Sequence, residues 1–114
     1  MQLQTEKKNN VTILRLEDQR LDFSVAPDLK TKFIEFANAG EARLLLDLTH
    51  VEYADSSGLG AILFGIRQLR PVKGSLKIVN LQPRVLTLIK IAKLDNVIES
   101  FDDENEAMAS FKTI

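Results

Sequence analysis

The chain has no cysteine and one histidine in 114 residues. Disulfides and thiolate chemistry are therefore excluded, and the common zinc patterns lack their ligands. Charge of one sign is also missing. Fifteen basic residues stand against 16 acidic ones, for a formal net charge of −1. No basic excess points to nucleic acid or an anionic membrane as the main partner, so neither direct nucleic-acid binding nor membrane insertion is expected. Long apolar runs are absent too. Nothing approaches the ~20 apolar residues that span a bilayer, and Met1 to Glu6 has no apolar core of a signal peptide. A cytoplasmic location is the expectation. The three prolines are spread out, and no repeat or low-complexity stretch appears. Residues 1–114 are expected to form one domain.

What is present is an ordinary globular composition, 45% hydrophobic and 27% charged. Val11 to Leu16 is β-branched and apolar and reads as a strand. Lys7-Lys8-Asn9-Asn10 reads as a polar turn before it, with the first residues as the other arm of a hairpin. Glu17 to Arg20 reads as a loop, and Leu21-Asp22-Phe23 as extended. A helix start follows, with Ser24 as a cap, Pro27 in the first turn and Asp28 at the positive end. Leu29, Phe33, Phe36 and Ala37 recur at helical spacing. Arg43 to Leu48 is a continuous apolar run broken only by Asp47, the pattern of a central strand covered on both faces.

A second helix carries Leu59, Ile62, Leu63, Ile66 and Leu69 on one face and ends at Pro71 and Gly74. Leu76 to Asn80 reads as a strand, and Pro83 opens a third helix that Leu94-Asp95-Asn96 closes. Val97 to Phe101 reads as a short extended segment. Asp102 or Asp103 then caps a last helix, with Glu106 as a capping-box partner. Strands alternating with helices imply an α/β fold: a small mixed sheet, largely parallel in its core, with an N-terminal antiparallel hairpin and about four helices.

The most informative stretch, Thr49-His50-Val51-Glu52-Tyr53-Ala54-Asp55-Ser56-Ser57-Gly58-Leu59-Gly60, lies where the central strand gives way to the second helix. The first amides of a helix have no intrahelical partner, and the helix dipole is positive there. Small hydroxyl and carboxylate residues are the usual caps, so the simple reading has one of the serines capping the helix. Hydroxyls there are also well placed to carry a phosphate. Competing chemistry is thin. A Ser57–His50–Asp55 triad would come from one short segment, whereas triads draw on separated elements. The G-x-S-x-G elbow is missing because Asp55 stands two before Ser57. Gly60 to Arg67 has P-loop glycine spacing, but Ile66 replaces the lysine. Gly58 and Gly60 read instead as positions of close packing or tight backbone. Asp102-Asp103-Glu104 lacks the spacing of a calcium loop. No metal or cofactor is expected. A small serine hydrolase using Ser57 is therefore the weakest alternative.

Leu45-Leu46-Asp47-Leu48-Thr49-x-Val51-x-Tyr53-x-Asp55-Ser56-Ser57-Gly58-Leu59-Gly60 closely resembles the STAS domain of bacterial anti-sigma factor antagonists. Leu21-Asp22 with Ala26-Pro27-x-Leu29 resembles the segment opening the family's first helix. Leu76-x-Ile78-Val79-Asn80, Pro83-x-Val85-x-x-Leu88 and Leu94-Asp95 resemble its later elements. The resemblance implies a non-enzymatic switch. The unmodified protein binds an anti-sigma factor that is also a serine kinase, and a sigma factor is released. The kinase phosphorylates the second serine of D-S-S-G, which ends binding, and a serine phosphatase restores it. Carried over by position, the phosphoacceptor is Ser57, with Asp22, Asp55, Ser56, Gly58 and Leu59 around it on the partner-binding surface. One departure is visible. The family's glycine before Leu-Asp is missing from Glu17-Asp18-Gln19-Arg20, which is one residue longer. Related STAS proteins serve instead as subunits of transporters or stress-signalling assemblies, and such an accessory role is the alternative.

Overall fold

A computed structural model describes residues 1–111. Strands β1 (Leu3–Lys8) and β2 (Val11–Leu16) form an antiparallel hairpin. Its turn is Asn9-Asn10 alone, with φ of 52° and 66°. Asparagine tolerates the left-handed region that a two-residue turn between twisted strands requires. Lys7 and Lys8, expected in the turn, belong to β1 instead.

Helix α1 (Ala26–Asn38) leads to β4 (Arg43–Asp47), then α2 (Ser56–Leu69), β6 (Ser75–Val79), α3 (Pro83–Ile91), β7 (Ser100–Phe101) and α4 (Glu104–Ser110). The main sheet runs β1-β2-β4-β6-β7, and every pair except β1–β2 is parallel. A second, two-stranded parallel sheet joins β3 (Arg20–Leu21) to β5 (Tyr53–Ala54). The expected α/β architecture of mixed sheet, hairpin and four helices is therefore present.

Alternation along the strands explains the apolar run in β4. Leu44 and Leu46 join Leu14, Leu16, Leu76 and Ile78 in the larger core, against Leu29 and Phe33 of α1 and Ile62 and Leu69 of α2. Leu45 points the other way, into a smaller core with Val11, Ile13, Val79, Ala107 and Phe111. Successive side chains of a strand face opposite sides, so three consecutive leucines can be fully buried only if both faces are covered. α4 supplies part of that second cover. It is capped by Asp103, whose carboxylate accepts from the Glu106 amide at 3.3 Å.

Asp47, the polar break in that run, is only 7% exposed. One carboxylate oxygen accepts from Arg15 at 2.8 Å. The other accepts the Thr49 amide at 3.0 Å and the Thr49 hydroxyl. Arg15 also donates to Glu104 and Glu6, so one guanidinium ties β1, β2, β4 and α4 together. Asn80 donates to the Thr49 hydroxyl and Gln82 to the Thr49 carbonyl. The loop leaving β4 toward α2 is thus held to the neighbouring strand end.

Burial pushes the Asp47 carboxyl up, but the bonds from Thr49 and Arg15 outweigh it and leave it below the ordinary 3.8. A carboxylate depressed in the folded state contributes stability above its unfolded value and loses it as pH falls through the folded one. Thermal melts should therefore weaken through Asp47 only below about pH 4. Asp47→Asn should reduce Tm at pH 7 and flatten part of that acid limb. An acid limb of unchanged depth in Asp47→Asn would show that other carboxylates carry it.

Two expected starts are corrected. Ser24 does not cap α1. The N-cap residue is Val25, without a side-chain bond, and the Ser24 hydroxyl donates to Asp22 at 2.6 Å. Asp22 organises that turn, because its backbone carbonyl accepts the amides of Val25 and Ala26. Glu17 to Arg20 is not loop throughout, since Arg20 pairs with Tyr53 in the small sheet. A two-residue strand carries too little pattern for periodicity to detect.

Candidate functional site

The small sheet delivers two chain segments to one place. β3 runs into the Asp22–Val25 turn, and β5 runs into the N-terminus of α2. The two are bound where they meet, by the Asp55 amide donating to the Leu21 carbonyl at 3.3 Å.

Neither serine caps α2. The cap is Asp55, in extended conformation, and its Oδ1 accepts from the Gly58 amide at 2.9 Å. Its backbone carbonyl accepts the Leu59 amide, the first bond of the helix proper. A carboxylate is the stronger partner for an amide at the positive end of a helix, which frees the hydroxyls. Ser56 and Ser57 are the first two helical residues, and both side chains are exposed. Their amides reach no protein acceptor among the described residues. The site therefore combines an accessible hydroxyl with unsatisfied donors.

The Asp55 carboxylate has a second task. Its Oδ2 accepts the amide of Phe23, 32 residues earlier, at 3.2 Å. Asp22 lies between Leu21 and Phe23, two residues bonded to Asp55, and its own carboxyl is turned to Ser24, whose hydroxyl holds it below the ordinary range. The structure thus brings Asp22, Asp55, Ser56, Ser57 and Gly58 together at one junction. Gly58 is buried, and a Cβ there would lie 2.1 Å from the Leu21 carbonyl oxygen. Close packing or tight backbone was expected at Gly58 and Gly60; the close packing is found at Gly58 alone, since a Cβ at Gly60 meets nothing within 4 Å. Leu59 is only 5% exposed and belongs to the core, so it supports the surface from beneath.

Sequence reasoning missed the apolar residues around this junction. Phe23 is 72% exposed on the turn that Asp55 holds. Tyr53, the first residue of β5, has the Arg20 guanidinium 5.1 Å from its ring centroid. Beyond it, Tyr53 and Ala54 border a groove with Arg84, Leu88 and Ile91 of α3, and Ile91 is 73% exposed. Apolar residues in one dimension read as core, and nothing in local pattern marks these as outward.

Among the described residues, no catalytic or metal geometry accompanies the serines. His50 lies exposed in the turn after β4 and bonds to neither Ser57 nor Asp55. Both Asp55 oxygens are committed to backbone amides, so it does not orient an imidazole. Among the described residues no cluster of three or more potential metal ligands occurs. None of the described helices is long and apolar enough to cross a membrane.

The model of the STAS domain matches residues 2–107. The anti-sigma-B factor antagonist of Bacillus subtilis is 35% identical over 69% of this chain and 72% of its own length. The anti-sigma factor antagonist SpoIIAA in its unphosphorylated form superposes with a TM-score of 0.75, covering 99% of this chain and 100% of that one at 23% identity. The Bacillus cell fate determinant SpoIIAA in its phosphorylated form superposes with a TM-score of 0.72 over 97% and 100%, at 21% identity. This chain belongs to the STAS domain family.

Proposed function

We propose that this protein is an anti-sigma factor antagonist controlled by phosphorylation of Ser57. In its unmodified form it binds an anti-sigma factor that is also a serine kinase, and a sigma factor is released. The kinase transfers the γ-phosphoryl of ATP to the Ser57 oxygen; ADP leaves and the hydroxyl proton is lost to solvent. A serine phosphatase reverses the modification. The protein acts as a binding module in the cytoplasm, and residues 1–114 work as one domain.

One observation carries this reading. Ser57 is exposed at the second position of α2 beside free backbone amides, within a D-S-S-G element that resembles the antagonists' own. Relatives named as antagonists support it, one of them known in phosphorylated and unphosphorylated forms. A phosphate adds about −1.5 to −2 charges at neutral pH. The positive end of α2 accommodates that charge without refolding the domain. Asp22 and Asp55 oppose it, and a docking partner would have to bury it.

The test is incubation with ATP and a purified anti-sigma factor kinase from the same bacterium, followed by intact-mass measurement. One phosphoryl group should be added to the wild type and none to Ser57→Ala, while Ser56→Ala remains a substrate. Phosphate on Ser56 instead, or on neither serine, would contradict the assignment.

A further inference from the structure

The two apolar faces of the main sheet are covered unequally. One packs against α1 and α2 over the larger core. The other holds Val11, Ile13, Leu45 and Val79, and α4 is the helix laid over it. That helix contributes Ala107, the half-buried Met108 and, at its C-terminal end, Phe111. It is seven residues long. Isolated helices shorter than about 12 residues are marginal in water, so α4 persists through what docks it. The apolar part of that docking is small. A cleft of about 140 Å³, bordered by Asn105, Met108 and Ala109 of α4 and by Asn9, Val11 and Arg43, leaves one flank unpacked.

Charge supplies the rest, at both ends. At the N-terminal end the Arg15 guanidinium donates to the two Glu104 oxygens at 2.8 and 3.3 Å, and the Lys8 ammonium stands 3.9 Å from the same carboxylate. At the C-terminal end the Lys77 ammonium donates to the Ser110 carbonyl at 2.9 Å and to the Ser110 hydroxyl at 2.8 Å. It also stands 4.7 Å from the centroid of the Phe111 ring. Lys77 is in register with Leu45 on this face and is only 8% exposed. Lysine is almost never buried to that degree without a partner. An apolar residue there would help cover the sheet by itself, whereas lysine depends on the last turn of α4.

We propose that α4 is a hinged cover, latched by charge at its two ends, that opens as a unit while the sheet and the larger core stay folded. The hinge is Asp102-Asp103, the bend between β7 and α4. Opening strands neither buried cation. Arg15 keeps Asp47 and Glu6, and Lys77 keeps Glu99 at 3.5 Å. What opening exposes is a second apolar face bordered by Arg15 and Lys77. The cover does not depend on the switch proposed for Ser57, and its test needs no kinase.

The test is amide hydrogen exchange on the full chain, 15N-labelled. The Ala107 amide, bonded to the Asp103 carbonyl at 3.0 Å, should exchange at least tenfold faster than the buried Leu14 and Leu46 amides. Partly exposed ion pairs weaken as salt rises. Raising sodium chloride from about 0.02 to about 0.5 M should therefore speed Ala107 at least threefold and leave Leu14 and Leu46 unchanged. Glu104→Gln releases one end and Lys77→Gln the other. Each should speed Ala107 at least fivefold in low salt, and Glu104→Gln should also reduce the response to salt. The double variant should bind the apolar dye ANS more strongly than wild type.

Exchange of Ala107 at the rate of Leu14 and Leu46 in every buffer would mean that α4 opens only with the whole domain, and overturns the cover. A fast Ala107 that ignores salt and both substitutions is ordinary fraying of a chain end, and overturns the latch. Loosening of Leu46 together with Ala107 overturns the separate unit. Glu104→Gln changes a half-buried surface position, and the salt series uses wild type alone, so the test stands even if Lys77→Gln fails to fold.

Discussion

Ser57→Asp should weaken binding to the anti-sigma factor kinase proposed as its partner at least 100-fold, about 2.8 kcal/mol, while leaving Tm within roughly 3 °C of wild type. The two halves of that expectation have different origins. Position 57 is the second residue of α2, and its side chain is exposed. Acidic residues in a helix's first turn are neutral or favourable by about 0.3–1 kcal/mol, so the fold tolerates the change. Surface substitutions of this kind stay within about 0.5 kcal/mol. A docked partner, by contrast, would have to strip water from a carboxylate placed beside Asp55 and near Asp22. Burying an unpaired charge costs several kcal/mol. Calorimetric titration and a thermal melt of the same preparation decide it. Equal affinity in wild type and Ser57→Asp would remove Ser57 from the docking surface. A large drop in Tm would mean that binding was lost through unfolding.

The second large effect is expected at Gly58. Gly58→Ala should cost about 3 kcal/mol and lower Tm by roughly 10 °C. The added Cβ would lie 2.1 Å from the Leu21 carbonyl oxygen and 2.9 Å from two further Leu21 atoms. The obstacle is backbone, so no rotamer change relieves it. Either β3 must leave α2 or the first turn of α2 must open. Both break the Asp55 contacts to Leu21 and Phe23, so binding should fall as well. Gly60→Ala is the control within the same motif. Its Cβ would meet nothing within 4 Å, and alanine is favoured over glycine inside a helix by about 0.5–1 kcal/mol. Gly60→Ala should therefore raise Tm slightly. Equal destabilisation by both substitutions would show that helix geometry, rather than the Leu21 contact, governs this motif.

These two glycines also mark where sequence reading stops. Close packing or tight backbone was expected at both, and only Gly58 has a neighbour to pack against. The neighbour comes from β3, 37 residues earlier, and no local pattern announces it. The capping of α2 shows the same limit. The D-S-S-G element marked the helix start, but three adjacent residues could each cap it. The choice fell to Asp55 because its carboxylate reaches two amides at once, one of them brought by the distant Phe23 turn. At α1 the expected cap, Ser24, is drawn instead to Asp22.

Periodicity along the chain was sufficient for the main sheet and its helices. The alternation of strands and helices, the doubly covered β4 and the apolar stripes of α1, α2 and α3 are local patterns set by 2.0- and 3.6-residue repeats, and the fold follows them. The sequence by itself therefore determined the order of the main sheet's strands and of the helices, the strand-to-helix junction and, through its motif, the family. Tertiary structure alone decided which face of that junction meets solvent. It made Asp47 a buried node, turned Phe23 and Ile91 outward and gave the capping of α2 to Asp55. Each of these depends on pairing between residues far apart in the chain, and such pairing leaves no period to read.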